Sequence, residues 1–237
     1  MVFSLDAPFN RGLAWYRYKG LEDEFLAATR YFPFEKAHKG IWSEFFSDLL
    51  TKTCNSIDSF FRNMLKDKNV SSCEYPHISG LMASRREKNI NFFRDCYEPI
   101  YVLSGAEVSI AYGLTFYDRN FRPFEEFGRN QIPAWWTAYN HVKHTWFDCI
   151  EEATLENVVS ALAGLFILNV LNTSSRLYLI KHQNIIKWDY MEAIPDNTLI
   201  NLMKESKMGI PKKWANQNFT ASTPVFTHEY RIDQTST

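Results

Sequence analysis

Residues Val158 to Leu171 are apolar around nearly their whole circumference when wound as an α-helix, with only Ser160, Gly164 and Asn169 interrupting. A helix that has no polar face must be buried on every side, in the middle of a bundle or in a bilayer. Length separates the two, because this run is about 14 residues and a spanning helix needs about 20. The sequence therefore predicts a central helix in a helical bundle and no membrane partner. Thr154 is placed to cap its start, and Glu156 suits the positively polarised first turn. Ser160 and Gly164, four residues apart, leave room for close approach by a neighbour, which is either the helix around residue 140 or a second copy of the chain.

Partners for that helix are legible in the apolar spacing. From Glu35 to about Asp67, Ile41, Trp42, Phe45, Phe46, Leu49, Leu50, Ile57, Phe60, Phe61, Met64 and Leu65 recur at three and four residues, which predicts a long amphipathic helix. A short helix is expected from Leu21 to Tyr31 after Gly20, a loop from Asn69 to Gly80, and a further helix from Leu81 to Tyr97, stopping before Pro99. Tyr101-Val102-Leu103 and Val108 to Tyr112 read as a minor β-hairpin. The expected fold is mainly α: a single helical domain over 1–237 with its core at about 35–183, its last helix reaching 181, and an irregular, partly mobile C-terminal segment over 184–237.

Composition limits the function classes. With 237 residues, 46% hydrophobic and 16% aromatic, the chain can build one domain with a substantial core. A formal charge of -1 provides no overall field for nucleic acid, so non-specific DNA binding is not expected and any RNA contact would rest on local patches. The four cysteines (Cys54, Cys73, Cys96, Cys149) form no C-x-x-C pair, which points to reduced thiols rather than a disulfide framework or a zinc site. The first residues lack a basic start followed by a long apolar run, so no signal peptide is read and a cytoplasmic location is expected.

The candidate site lies in Pro133-Ala134-Trp135-Trp136-Thr137-Ala138-Tyr139-Asn140-His141-Val142-Lys143-His144. Pro133 suits a first helical turn. At ~100° per residue, Trp135, Tyr139, Val142, Trp146 and Ile150 share one side, and Thr137, Asn140, His141, His144 and Asp148 share the other. The second face is written in short hydrogen-bonding groups rather than the Lys, Glu and Arg of a routine solvent face. Cleaving RNA without a metal requires a base for the 2′-OH proton, an acid for the leaving oxygen and a donor or cation for phosphate. His144 would serve as the base, Asn140 one turn earlier would position a phosphate or ribose oxygen, and Asp148 one turn later would fix the tautomer of His144. Lys143, or Arg85 and Arg86, would neutralise charge. The competing reading is structural, with Asn140 and His144 tying the helix to neighbouring loops through buried hydrogen bonds. A metal reading would use His141, His144 and Asp148, but it lacks the catalytic Glu of zinc-binding helices. No cofactor is implied.

The pattern Trp135-Trp136-x-x-Tyr139-Asn140-x-Val142-Lys143-His144, then Ala153-Thr154-Leu155-x-Asn157-Val158 leading to Ala161-Leu162-Ala163, resembles a group of bacterial helical proteins with a W-x-x-Y-N-x-[VI]-K-H core. Phe25 to Phe34 and Ser43 to Phe61 resemble the N-terminal half of the same group, so the likeness covers roughly residues 15 to 175. That group is similar to the HEPN superfamily of α-helical bundles, many of them metal-independent ribonucleases of toxin and antiviral defence systems. The resemblance implies a homodimer whose sites line one cleft, and RNA or a nucleotide as partner. Those ribonucleases carry an Arg several residues before the His, whereas the position five before His144 is Tyr139. Arg176 and His182 have a matching spacing, but a pair of that kind is expected about once by chance in a chain of this composition. Without the Arg, a catalytically silent module that binds a nucleotide, an RNA or a partner protein is the alternative.

Overall fold

Among the described residues of a computed structural model, six helices, α1 (Arg11–Ala28), α2 (Glu44–Met64), α3 (Ile90–Tyr101), α4 (Ala134–His144), α5 (Trp146–Cys149) and α6 (Leu155–Leu171), are packed with a small antiparallel sheet. The described residues are 11–65, 80–81, 87–110, 120–172, 175, 179, 186–188 and 219–230. The fold is mainly α, as the periodicities predict.

α6 is the central element, with 14 of its 17 residues buried, and it is enclosed by α2, α1 and α4. No helix among the described residues is long and apolar enough to cross a membrane. A Cβ at Gly164 would lie 3.2 Å from Phe124 Cζ and 3.4 Å from Trp135 Cζ2. The small residue therefore admits the motif helix's own tryptophan, and the seam offered at Gly164 for a second copy is filled from within the chain. Thr154 caps α6 by accepting from Asn157 N at 3.2 Å. Two more of its first N–H groups go to the carbonyls of Ile41 and Lys39, at 2.9 and 3.0 Å.

That use of residues 39–42 explains why α2 starts later than its apolar spacing suggests. Lys36–His38 form a separate 3-10 turn. Trp42 bridges to Thr154 in extended form, and Ser43 caps α2 by accepting from Phe46 N at 3.1 Å. α1 is longer than expected and runs straight through Gly20. α3 starts behind the Asn89 cap, passes through Pro99 and ends at Val102, which is in the left-handed region at φ 47°. Of the expected helix over 81–97, residues 82–86 lie outside the described residues. α6 ends at Leu171, ten residues short of the expected 181, because Asn172 turns extended. Its side chain accepts from Ser175 N at 2.9 Å.

The sheet has the order β1-β4-β3-β2, from Ser109–Ile110, Ile186–Trp188, Phe219–Ser222 and Phe226–Tyr230 numbered along the chain. A minor hairpin is therefore present, but it is β3–β4, in the stretch expected to be irregular. Residues 101–110 instead end a helix at Tyr101, make a 3-10 turn at Leu103–Gly105 and supply the strand Ser109–Ile110 paired to β4, while residues 111–112 of the expected hairpin lie outside the described residues. The hairpin follows period-two burial: Phe226 and His228 are buried, while Thr227 and Glu229 are not. It docks on the bundle through Phe226, stacked 5.9 Å from Phe166, and through the buried carboxylate of Glu22. Glu22 accepts from Tyr18 Oη at 2.8 Å, Lys19 Nζ at 2.5 Å, Val225 N at 3.3 Å and the Thr223 hydroxyl.

Candidate functional site

α4 is built as its spacing predicts along its packing side. Trp135, Trp136, Ala138, Tyr139 and Val142 are buried. The Trp135 indole donates to Pro123 O at 2.7 Å, holding the start of the helix against the preceding loop. Thr137, His141, Lys143 and His144 are exposed and Asn140 is half-buried.

The helix stops at His144. Thr145 leaves helical geometry at φ -137°, ψ 53°, and both its N–H and its hydroxyl return to His141 O, at 2.8 and 3.0 Å. This break corrects the helical wheel beyond residue 144. Asp148 is exposed on the short helix α5 rather than one turn along from His144, so the wheel no longer aligns it to fix the imidazole's tautomer. Trp146 leaves the packing stripe and is 39% exposed, its indole donating to Ser47 Oγ at 3.0 Å.

The remaining candidates separate. His141 Nδ1 sits 2.9 Å from both carboxylate oxygens of Glu152, and the Glu152 carbonyl accepts from Asn157 Nδ2 at 2.8 Å, so His141 fastens α4 to the turn before α6. Lys143 Nζ turns back one helical turn to donate to Tyr139 Oη at 3.1 Å and lies 5.3 Å from that ring's centroid. The Tyr139 hydroxyl donates to Asn55 Oδ1 on α2 at 2.7 Å. Burial raises the Tyr139 phenol above its ordinary range, and the Lys143 ammonium partly offsets this. The side chains of Asn140 and His144 have no hydrogen bond or ion pair among the described residues, and His144 is exposed, so the buried-tie reading does not describe them. Arg85, Arg86, Arg176 and His182 lie outside the described residues. His141, His144 and Asp148 do not converge: among the described residues no three metal-ligating side chains sit together.

Helical spacing places Tyr139 on the packing side and gives no sign of Asn55 or Glu152. The Tyr139/Lys143 spacing of four is a usable signal for the contact between those two. The Thr145 break also creates a surface that the apolar spacing does not predict. Trp146 and Phe147 meet edge to face at 5.2 Å, with Phe147 90% exposed. Trp42, half-exposed, is on the same end of the bundle, since it pairs with Thr154 at the start of α6 while Trp146 bonds Ser47 near the start of α2. Tyr31, at the end of α1, is also exposed, and Phe32 beside it packs on Phe46 of the first turn of α2 at 5.3 Å. One end of the bundle thus presents aromatic side chains to solvent, which a core-forming pattern does not require. No protein-family model, no curated protein and no solved structure matches the chain.

Proposed function

We propose that the chain is a catalytically silent, HEPN-like helical module that docks a partner protein through the aromatic end of its bundle. The observation that carries this is the Trp146–Phe147 pair, held outside the core by the break at Thr145 and by the indole bond to Ser47. Exposed Trp and Phe at the centre of a patch are the side chains that anchor protein interfaces. The groups for RNA cleavage are dispersed: His141 is engaged by Glu152 and Lys143 by Tyr139, and Asp148 is past the break.

The test replaces Phe147 by a photo-crosslinking phenylalanine analogue in cells, with the exposed Tyr16 of α1 as the control position. A discrete adduct from position 147 and none from position 16 is expected. Equal labelling from both would remove the reading.

A second reading, a metal-independent ribonuclease of a bacterial defence or toxin system acting as a homodimer, is favoured by one observation. Asn140 and His144 are one turn apart and accessible. Total RNA incubated with the purified chain in EDTA decides it: intact RNA supports the silent module, whereas cleavage that is lost in His144→Ala supports the enzyme. Light scattering that shows a monomer at micromolar concentration would also count against the paired-site enzyme.

A further inference from the structure

We infer that the segment docking on this end carries arginine, an inference that rests on the docking reading above. The turn that bears the aromatic pair, Thr145 to Asn157, contains Asp148, Glu151, Glu152 and Glu156 and no lysine or arginine. Glu152 is held by His141 and Glu156 by Lys39 at 3.0 Å. Asp148 and Glu151 are exposed and have no ion pair among the described residues. The Trp146 indole spends its only donor on Ser47, which fixes the ring beside the first turns of α2 and adds the exposed Glu44 to the same surface.

Opposing charge is small or already committed. The starts of α2 and α6 each carry about half a positive charge, and Glu44 and Glu156 sit in those first turns. Lys39 faces Glu156, His141 faces Glu152, and Lys143 is turned back onto Tyr139. His144, next to the break, is the remaining basic side chain of α4 and this turn, and Arg30 is exposed beside Tyr31. What is left is an aromatic surface rimmed by Asp148, Glu151 and Glu44.

A phosphate backbone would meet those carboxylates, so a nucleic acid is disfavoured. A guanidinium suits both parts at once, stacking its plane on the Trp146–Phe147 rings while its N–H fork donates to Asp148 or Glu151. Lysine would satisfy the charge but not the plane. The occupant is therefore an arginine-bearing segment of a partner protein.

The experiment titrates the full chain with a blocked peptide of alternating glycine and arginine, and with lysine, glutamate and citrulline counterparts. The readout is the Trp146 indole N–H resonance, assigned by its loss in Trp146→Phe. The arginine peptide should shift it saturably, more tightly than lysine or citrulline, and less tightly as salt is raised. Phe147→Ala should weaken binding about 2- to 5-fold. Asp148→Asn with Glu151→Gln should also weaken it and leave melting unchanged, since both side chains are exposed. Equal binding of arginine and glutamate peptides, or no shift with arginine, overturns the inference. If position 147 still yields a discrete protein adduct in that case, docking stands and only the arginine assignment falls. If neither is seen, both fall, and a Trp146 shift with single-stranded RNA instead would replace them with nucleic-acid binding.

Discussion

Glu22 has no exposure to water, and four groups donate to its carboxylate: the Tyr18 and Thr223 hydroxyls, the Lys19 ammonium and the Val225 amide. Replacing the charge with an amide, Glu22→Gln, leaves donors facing a donor and should cost about 1 to 3 kcal/mol. At roughly 2 to 4 °C per kcal/mol for a domain of this size, thermal melting reads that loss directly. Alkaline titration tests the same cluster. Burial, with Glu22 adding to it, holds the Tyr18 phenol well above its ordinary range. Burial opposes charge on Lys19, but Glu22 outweighs it and raises that ammonium too. Both groups keep their protons in the folded state to higher pH than in the unfolded chain, so their contribution is complete below about pH 10 and is lost as pH rises beyond it. Tyr18→Phe should flatten that alkaline decline in a melting series and also lower the neutral-pH melting temperature. His144→Ala, by contrast, removes an exposed side chain and should stay within about 0.5 kcal/mol of the parent. Nothing in Leu21-Glu22-Asp23-Glu24 marks one acid as buried, since its decisive partners are about 200 residues away in sequence.

Elements whose partners are written into their own spacing were the legible ones. α2 and α6 follow from apolar recurrence, and Thr154 and Pro133 mark the starts of α6 and α4. The break at Thr145 was hidden because the apolar period continues across it, through Val142, Trp146 and Ile150, although the backbone does not. The sheet was hidden for a different reason: Ser109 pairs with Thr227, and no local pattern reports a pairing over that separation. Two glycines in helices test how far packing overrides propensity. Gly20 has nothing within 4 Å of where a Cβ would be, so Gly20→Ala should stabilise α1 by about 0.5 to 1 kcal/mol. At Gly164 the new Cβ meets Phe124, which is fully buried, and Trp135, whose indole is bonded to Pro123. Those rings have little room to move, and Gly164→Ala should lower stability by about 1 to 3 kcal/mol despite the better helix former. Denaturant midpoints of the two variants should move in opposite directions.

Over the whole molecule, the helices form one core and the hairpin Phe219–Tyr230 closes its flank. The order in which these parts become available during synthesis is fixed by the chain. The last of the six described helices is complete once Leu171 is made, but Thr223, Val225 and Phe226 come more than fifty residues later. At roughly 5 to 20 residues per second, that is an interval of about 3 to 11 s. Throughout it a nascent bundle would hold Glu22 with Tyr18 and Lys19 as its donors, and Phe166 against Tyr18 but without the stacked Phe226 ring. Stopped-flow refolding of the full chain should therefore show two phases, a fast one that buries the bundle and a slower one that protects the Val225 amide from hydrogen exchange. Glu22→Gln should alter the second phase and leave the first nearly intact; a single phase common to both probes would contradict this order. If the two phases are seen in that order, the carboxylate that latches the finished fold begins as a hydrated gap on a half-built protein, keeping the unfinished side in water until the last strands arrive.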